Sequence, residues 1–382
     1  MSSKSFFFAG GGTGGHIYPA VAIAEQIVKL QSDSKIHFFV SNRNIDAHIL
    51  SKTNFEYTQL SAKGFSPKPL KMLDFCLCFF KSCRTAKTII AESKKEAVVI
   101  GIGGFVAAPV CFAAHRLKVP VVLLNTDSVP GKANRLIGRW ADEILVQFEN
   151  TAKYFAKAKA AISVVGCPLR SGFANPQPGK AIEQLGLDEN KRILLITGAS
   201  SGAENINTAI CSMLDKLDAF AHNWQIVHLT GLDNLKNVQE KYADVRIKHT
   251  VLGYFDDMPN LLAAADLVVG RSGAVSVAEY VTAETPSICI PYPYHKDRHQ
   301  YLNAERLVEA GAAVIVDDSP LAFGGVSPKG GNEKERSDRL WRELEMLMRD
   351  DKKRQQMAEA CRRIAKKDAA GKIAEKLLKI RG

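Results

Sequence analysis

A run of six residues rich in glycine, followed by a histidine, is the segment of this sequence best suited to chemistry. Residues 10–15 read Gly-Gly-Gly-Thr-Gly-Gly, and His16 comes directly after them. Glycines let backbone N–H groups approach a phosphate without a Cβ in the way, and a helix N-terminus favours an anion. The same helix end favours the neutral imidazole of His16, which can accept a proton. The segment predicts an anion site beside a general base; the alternative is a tight turn that only joins a strand to a helix.

Two common nucleotide-binding motifs do not fit this segment. A Walker A loop requires Gly-Lys-Ser/Thr, which does not follow Gly15. A dinucleotide-binding loop requires an acidic residue at the end of the second strand. Asp33 instead precedes that strand, and residues 40–42 (Val-Ser-Asn) occupy its end. The sequence therefore disfavours a dinucleotide-dependent oxidoreductase.

Polar or glycine-rich segments follow four further apolar runs, at the strand ends where ligands gather in parallel sheets. Gly103 and Gly104 follow residues 98–102, although a simple turn would also explain them. Glu279 lies in a predicted helix that begins at Ala274, and its carboxylate could accept two hydrogen bonds from a ribose diol. The alternative for Glu279 is an ordinary surface glutamate. The other two segments are residues 198–202 (Gly-Ala-Ser-Ser-Gly) and the polar, proline-constrained residues 291–301.

Alternating strands and helices must position these segments. Residues 5–9 form an apolar run before the first glycine loop, and residues 17–30 have helical periodicity after it. Residues 191–197 and a helix from Ala203 flank the second glycine loop in the same way. This pattern predicts two similar α/β domains, each with a parallel sheet covered on both faces. The other predicted strands are residues 36–40, 97–101, 119–124, 143–146, 161–165, 224–229, 246–252, 267–270, 287–290 and 313–316.

Composition marks the domain boundaries. Residues 166–179 contain three Pro and three Gly, which is typical of a linker. Residues 321–338 predict an exposed loop, and the charged residues 333–380 predict a pair of solvent-facing helices. The predicted parts are an N-terminal domain at 1–166, a linker at 167–190, a C-terminal domain at 191–360 and a C-terminal helix at 361–382, which we expect to pack back on the N-terminal domain.

The composition is that of a folded protein in a reducing compartment. Apolar residues make up 46% of the 382 residues and charged residues 24%, which argues against disorder. No apolar run approaches the roughly 20 residues needed to span a bilayer. The 8 Cys show no C-x-x-C spacing, so we expect reduced thiols in a cytosolic protein without a zinc site. The net charge of +11 predicts anionic partners, but no nucleic-acid-binding motif accompanies it.

Taken together and in this order, the motifs resemble those of the MurG-type N-acetylglucosaminyltransferases of glycosyltransferase family 28. The resemblance implies an α/β GT-B fold, in which two Rossmann-like domains with parallel sheets face a central cleft. It implies an inverting hexosyltransferase that moves N-acetylglucosamine from UDP-N-acetylglucosamine (UDP-GlcNAc) to the C4 hydroxyl of lipid I, giving lipid II in peptidoglycan synthesis. The matching motifs are residues 10–16 with Pro19, 103–104, 168–170, 198–203, 256–258, 271–279 and 295–301 with Asn303.

The resemblance also implies which residues bind the substrates. It assigns the ribose to Glu279, the donor sugar hydroxyls to Gln300 and the uracil pocket to Phe255. It assigns the donor diphosphate to Ser200 and Arg170. It implies no tightly bound cofactor or metal, with Mg²⁺ assisting through the substrate diphosphates. The donor set is Thr13, Gly14, Gly15, Arg170, Ser200, Phe255, Ser272, Ala274, Glu279 and Gln300, and the acceptor set is Gly12, Gly103, Gly104, Asn125 and Asn134.

One segment departs from the family pattern. The family carries His-Glu-Gln-Asn where residues 124–127 here read Leu-Asn-Thr-Asp. Asn125 therefore replaces the family's carboxylate, and Asp127 introduces a carboxylate two positions later. His16 is the first candidate for the general base. Asp127 is a second candidate for that role, or a partner of His16. The alternative is a divergent acceptor loop without a catalytic role.

Residues 63–87 predict a surface that docks on a membrane. Six basic residues stand against one acid, Asp74, and they flank an apolar cluster. Such a pattern suits anionic lipid, and the resemblance implies a polyprenyl-linked acceptor in the inner leaflet. We therefore expect a cytoplasmic protein, peripheral on the inner face of the plasma membrane, whose partners include other cell-wall synthesis proteins. The alternative is that residues 75–80 belong to a core helix.

Three other functions stay open at this point. The first is a related GT-B transferase that acts on another lipid or on a small-molecule acceptor. The second is a nucleotide-sugar binder without turnover, which the changes at residues 124–127 keep open. The third, a dinucleotide-binding oxidoreductase, requires the acidic residue that residues 40–42 lack.

Overall fold

The computed structural model describes residues 4–12, 14–64, 68–199, 202–294, 297–317 and 333–380. The chain divides into two compact units. Unit 1 comprises Met1–Arg170 and Asp368–Gly382, and unit 2 comprises Ser171–Lys367.

Unit 1 is built on a parallel sheet. Within its described residues seven strands pair in the order β3-β2-β1-β4-β5-β6-β7. The strands are β1 (Ser5–Gly10), β2 (Lys35–Ser41), β3 (Glu56–Leu60), β4 (Ala97–Gly103), β5 (Val121–Asn125), β6 (Glu143–Val146) and β7 (Ala161–Val164). The helices are α1 (Gly14–Leu30), α2 (Asn44–Ser51), α3 (Pro69–Ala91), α4 (Gly104–Leu117) and α5 (Lys132–Ile137).

Strand β1 shows why this sheet is covered on both faces. Successive strand side chains point to opposite sides, and every residue of β1 is buried. Phe6 and Phe8 pack into one core, with side chains of α1 and α2. Phe7 and Ala9 pack into another, with side chains of α3 and α4. An apolar run without alternation is therefore the signature of a doubly covered parallel strand, as the sequence predicted.

Unit 2 repeats this plan with a smaller sheet. Its strands, where described, are all parallel and pair in the order β10-β9-β8-β11-β12-β13. The strands are β8 (Arg192–Thr197), β9 (Trp224–Leu229), β10 (Lys248–Leu252), β11 (Leu267–Gly270), β12 (Ser287–Cys289) and β13 (Ala313–Ile315). The helices are α6 (Pro178–Gln184), α7 (Glu204–Cys211), α8 (Leu214–Leu217), α9 (Leu235–Lys241), α10 (Met258–Ala264), α11 (Ala274–Thr282), α12 (His299–Glu309), α13 (Glu333–Arg349) and α14 (Asp351–Ile364).

The prediction of two α/β domains with parallel sheets is confirmed, and most predicted strands lie within two residues of the observed ones. Strand β3 was missed because its sequence, Glu-Tyr-Thr-Gln-Leu, contains no apolar run. It is an edge strand that pairs with β2 alone in this sheet, and most of its side chains are at least partly exposed. Part of the predicted linker is helical: Ser171–Phe173 form a 3-10 helix, and α6 begins at Pro178. The backbone N–H of Gln177 donates to Asn260 Oδ1 of α10 at 2.6 Å.

The C-terminal residues form three helices in the described part of the chain, α13, α14 and α15 (Ala369–Lys379), where the sequence predicted two solvent-facing ones. The prediction erred because alternating charge hides the apolar stripes: Leu340 and Leu344 of α13 are buried in the core of unit 2. Helix α15 belongs to unit 1 and buries Ile373 and Leu377 in the core that contains α1. Of the loop predicted at 321–338, residues 333–338 begin α13 and the rest lie outside the described residues.

No helix in the described ranges combines the length and apolar character needed to cross a membrane.

Candidate active site

In each unit the strand order places two of the predicted ligand-binding segments where a ligand is expected. In unit 1 the order reverses between β1 and β4, and the segments that begin at Gly11 and Gly103 lie at this point. In unit 2 it reverses between β8 and β11, which precede Gly198 and Arg271. Ligands of open parallel sheets bind in the crevice at such a switch point, outside the carboxyl ends of the strands. Each unit therefore offers one candidate site at its own sheet.

The two glycine turns of unit 1 interlock. Gly12 and Gly104 have φ angles of +92° and +79°, which side chains rarely adopt. A Cβ on Gly104 would lie 2.6 Å from the carbonyl oxygen of Gly11. Glycine at these positions thus lets two backbone segments touch, which is more specific than a simple turn.

His16 lies beside the second turn. A Cβ on Gly103 would lie 3.0 Å from His16 Nε2 and 3.3 Å from Asn134 Oδ1. His16 is partly exposed, while Asn134 is buried. Asn134 Oδ1 has no hydrogen-bond partner among the residues described. The structure thus brings together three predicted residues: the candidate base, one glycine and one asparagine of the acceptor set.

The divergent segment at the end of β5 is held by side-chain hydrogen bonds. Asn125 is 1% exposed, and its Nδ2 donates to the backbone oxygen of Asp127 at 2.6 Å. Its Oδ1 accepts from Asn134 Nδ2 at 2.9 Å. Thr151 Oγ1 donates to the Ser128 carbonyl at 3.2 Å. Asn125 therefore links the loop that carries Asp127 to Asn134, and the catalytic role of Asp127 stays a prediction.

Arg170, predicted for the donor diphosphate, lies in unit 1 against helix α1. Its guanidinium carbon is 5.0 Å from the centre of the Tyr18 ring. Burial raises the pKa of Glu25 on the same helix, and the charge of Arg170 opposes this. Gly14 and Gly15, also in the donor set, form the first turn of α1. Thr13 and Ser200 lie outside the described residues.

In unit 2, Ser272 and Gln300 are brought together by backbone contacts. Ser272 Oγ donates to the backbone oxygen of Gln300 at 2.9 Å. Gln300 Oε1 accepts from the backbone N–H of Tyr292 at 3.0 Å. Asn303 is fully buried, and its Nδ2 donates to the Ser272 carbonyl at 3.3 Å. Two predicted donor residues from distant parts of the chain therefore share one network at the ends of β11 and β12.

Arg271 organises this network, a function that the sequence analysis did not assign. The residue is 8% exposed, and its Nη1 donates to the carbonyls of Ile290 and Pro291 at 3.1 and 3.2 Å. Its own carbonyl accepts from Tyr280 Oη at 3.0 Å. The signal available in the sequence was an arginine directly after an apolar run, because a charge at the end of a buried strand needs nearby partners.

The remaining donor candidates lie on the neighbouring elements. Ala274 begins α11 and is buried, and Glu279 is partly buried on the same helix. Phe255 is 7% exposed and follows β10. The contacts of Glu279 with ribose and of Phe255 with uracil therefore stay predictions.

A buried polar chain supports the glycine loop of unit 2. Gly202 has a φ of +73°, and a Cβ there would lie 2.2 Å from the Thr230 carbonyl oxygen. That oxygen accepts from Asn207 Nδ2 at 2.9 Å, and Asn207 Oδ1 contacts His228 Nε2 at 3.0 Å. Burial lowers the pKa of His228 to about 3, so this histidine stays neutral and structural. Gly202 thus packs against a fixed backbone carbonyl.

The described residues contain no group of three or more His, Cys, Asp or Glu side chains that could hold a metal ion.

Comparisons with known proteins agree with this architecture. The glycosyltransferase family 28 N-terminal domain matches residues 6–146, and the family's C-terminal domain matches residues 193–373. A solved structure, MurG of Acinetobacter baumannii, covers 99% of this chain and 100% of its own with a TM-score of 0.76. At 24% identity this likeness shows the fold, and the expected α/β GT-B fold class is confirmed in its two Rossmann-like units with parallel sheets.

Curated relatives extend the match at higher identity. A protein of Acetivibrio thermocellus is 32% identical over 369 residues, 96% of this chain and 95% of its own. A protein of Desulfitobacterium hafniense is 34% identical over 372 residues, 95% of this chain and 96% of its own. Both are named UDP-N-acetylglucosamine–N-acetylmuramyl-(pentapeptide) pyrophosphoryl-undecaprenol N-acetylglucosamine transferase. This chain therefore belongs to glycosyltransferase family 28 and is a hexosyltransferase.

Proposed function

We propose that this chain transfers N-acetylglucosamine from UDP-GlcNAc to the C4 hydroxyl of lipid I, giving lipid II in peptidoglycan synthesis. The observation that carries the proposal is the presence, in two successive parallel-sheet units, of a glycine turn at the point where the strand order reverses. Two diphosphate-bearing substrates require two such anion sites. The names of relatives that match nearly the whole chain support the same reaction.

In this reaction the acceptor hydroxyl attacks the anomeric carbon of the donor from the face opposite UDP. The C–O bond to the diphosphate breaks as the new glycosidic bond forms, so the configuration inverts from α to β. A base takes the hydroxyl proton, and we assign this to His16, which lies beside Gly103 in unit 1. Asp127 is proposed as a second candidate or as a partner of the base.

Unit 2 is proposed to bind the donor. In this proposal Glu279 holds the ribose, Gln300 reaches the sugar hydroxyls and Phe255 lines the uracil pocket. The network of Ser272 and Gln300 supports this assignment, since Arg271 fixes the backbone on which it rests. Backbone amides and positive side chains that face the leaving diphosphate would stabilise its growing charge.

A transfer assay tests this function. We expect UDP release from UDP-GlcNAc only when a soluble lipid I analogue is present, together with a disaccharide product of β configuration. We expect the rate to persist in EDTA, reduced at most by the loss of Mg²⁺ that assists through the substrate diphosphates. Product from diacylglycerol instead of the lipid I analogue would favour a related transferase. UDP-GlcNAc binding without any product would favour a non-catalytic binder.

Unit 1 also carries the surface that we propose to dock on an anionic membrane. Four apolar side chains recur on one face of α3 at spacings of three and four residues. They are largely exposed, whereas helix α3 buries Ser82, Ala86 and Ile90. The exposed fractions are 85% for Leu70, 60% for Leu73, 63% for Leu77 and 65% for Phe80. Phe105 of α4 is also exposed, at 56%.

Charge favours the same surface. Lys63 pairs with Asp74 at 2.7 Å, and the other basic residues of the segment are exposed. Apolar side chains and basic residues together suit the boundary between headgroups and acyl chains. This placement would bring unit 1 to an acceptor held by a polyprenyl chain. The exposed basic residues are Lys68, Lys71, Lys81, Arg84 and Lys87.

Charge reversal tests the docking proposal. We expect the triple substitution Lys71→Glu, Lys81→Glu and Arg84→Glu to lower binding to phosphatidylglycerol-containing vesicles roughly 100-fold or more. The reason is that each basic residue near such a surface contributes about 1 kcal/mol. Sedimentation with vesicles measures the bound fraction.

A matched triple variant controls for net charge. Lys180, Lys236 and Lys352 are exposed residues of unit 2, and their replacement by Glu changes the total charge equally. This control should bind vesicles much more tightly than the α3 variant. Equal binding by the two variants, or binding of the α3 variant at the wild-type level, would contradict docking through α3.

A further inference from the structure

The backbone amide of Gly12 is engaged within the protein, although the sequence predicted an anion site at this loop and the resemblance placed Gly12 in the acceptor set. Its N–H donates to both carboxylate oxygens of Asp46, with N···O distances of 2.9 and 2.8 Å. Asp46 lies on helix α2 and is fully buried. An amide already bonded to a buried carboxylate is a poor ligand for a second anion.

The carboxylate of Asp46 collects two further donors. The backbone N–H of Ser41 donates to it at 3.1 Å, and Ser41 Oγ donates at 2.5 Å. An ionised carboxylate offers only acceptors, so this cluster of donors matches it. Asp46 therefore fixes the glycine turn to the end of β2 and places a negative charge directly beneath it. A diphosphate at this turn needs a cation to offset that charge.

Arg43 supplies a cation at the turn. Its Nη1 donates to the Gly12 carbonyl at 2.7 Å, and the residue is exposed. A Cβ on Gly12 would lie 3.7–3.9 Å from three guanidinium atoms, so the guanidinium covers the turn. The backbone N–H of Arg43 donates to Ser41 Oγ at 3.3 Å, which ties Arg43 to the same cluster. A guanidinium carries five N–H groups in a fixed fork, so it can hold Gly12 and bind an anion at the same time.

We propose that Arg43 binds the acceptor's diphosphate at this turn, in place of the Gly12 amide. Asp46 is then a positioning residue, because it holds Gly12 and thereby the carbonyl on which Arg43 is anchored. This inference deepens the proposed function. It rests on that function for one point, which is that the acceptor carries a diphosphate. Glycine at position 12 serves the backbone conformation, and the anion is recognised by a side chain.

Kinetics of Arg43 variants test the proposal. We expect Arg43→Gln to raise KM for a soluble lipid I analogue about ten- to hundredfold, because a charge-assisted contact is lost. Arg43→Lys should fall between this variant and the wild type, since it keeps the charge but loses the fork. KM for UDP-GlcNAc should change less than twofold in both variants. An Arg43→Gln enzyme with the wild-type acceptor KM would overturn the proposal.

Asp46→Asn tests the positioning role with almost no change in size. Its amide would oppose one or more of the N–H and O–H groups that converge on the carboxylate, so the turn should lose its fixed geometry. We expect acceptor KM to rise at least tenfold while the Kd of UDP-GlcNAc stays within twofold of the wild type. A purely structural role would instead lower melting temperature and affect both substrates alike, which would overturn the positioning claim.

Two variants at the opposite edge of the sheet serve as controls. Asp142 Oδ2 accepts from the backbone N–H of Val121 at 2.8 Å, so Asp142→Asn repeats the chemical change away from the turn. Arg116 is exposed in the last turn of α4, and Arg116→Gln repeats the loss of charge. Both should keep the wild-type acceptor KM. If either control raises the acceptor KM as much as the Arg43 and Asp46 variants do, the effect does not belong to this turn and the assignment is overturned.

A binding measurement separates this inference from the proposed function, because it needs no turnover. Calorimetric titration with inorganic pyrophosphate, in the presence of saturating UDP, reports an anion site apart from the donor site. We expect Arg43→Gln to bind pyrophosphate at least tenfold more weakly than the wild type. Equal binding by the two proteins, or no binding by the wild type, overturns the inference. Failure of the transfer assay with intact Arg43-dependent binding would instead count against the proposed function alone.

Discussion

Replacing His16 by alanine is expected to lower kcat about 10²–10⁴-fold, which is the range for loss of a general base. The imidazole lies beside Gly103, and glycine there leaves room for His16 Nε2 next to the buried Asn134. Because a base acts in the transition state, KM for either substrate should change little. The loss corresponds to about 3–5 kcal/mol of transition-state stabilisation. Single-turnover measurement of the chemical step under saturating substrates gives the value directly.

The pH dependence distinguishes His16 from Asp127. If His16 is the base, the decrease in kcat/KM toward acid pH should disappear in His16→Ala and persist in Asp127→Asn. The opposite result would move the assignment to Asp127. His115→Ala is the matched control, since His115 is an exposed histidine in the last turn of α4, at the other edge of the sheet. Full activity in both His16→Ala and Asp127→Asn would mean that neither residue is the base.

Gly202→Ala should strongly destabilise unit 2, although it adds only one methyl group. Gly202 adopts a φ of +73°, and the added Cβ would lie 2.2 Å from the Thr230 carbonyl oxygen and 2.8 Å from Gly231 Cα. Neither contact is with a flexible side chain, so the backbone at Gly202 must shift. We expect a loss of about 3–5 kcal/mol in the free energy of unfolding, from backbone strain and overpacking together.

Tryptophan fluorescence can follow this effect. Trp224 is fully buried on β9, and Trp341 packs against the same core of unit 2. Denaturant titration of the full chain should therefore show an earlier transition for Gly202→Ala. In Gly179→Ala, where no atom lies within 4 Å of the added Cβ, stability should change by less than about 1 kcal/mol. Coincident transitions for the two variants would contradict this account of the loop.

The displaced loop should also weaken donor binding in the protein that remains folded. The proposed function places UDP-GlcNAc at this edge of unit 2, so KM for UDP-GlcNAc should rise at least tenfold in Gly202→Ala. The acceptor KM should be much less affected, because the proposed acceptor turn belongs to unit 1. A variant that is folded and has an unchanged donor KM would remove this loop from the donor site.

Much of this protein could be predicted from local sequence. Apolar runs such as residues 97–101 and 267–270 coincide with strands, because burial on both faces of a parallel sheet leaves no polar position in them. Glycine segments mark the turns at Gly12 and Gly202 because only glycine adopts these φ angles freely. These signals depend on neighbours in the chain, and they were sufficient for the fold class and for the strand ends where ligands gather.

The tertiary structure decided which of these segments meet. Asp46 lies 34 residues beyond Gly12, and no local pattern indicates that its carboxylate takes the glycine amide. The same holds for His16 beside Gly103 and for Arg271 on the carbonyl of Ile290. Strand order brings these residues together, and that order is set by packing across the whole sheet, since each pairing is stable only when both faces are covered. Local patterns in the sequence were enough to predict most strands and the loops that follow them; the partners of each polar group depend on long-range packing, which has no local signature.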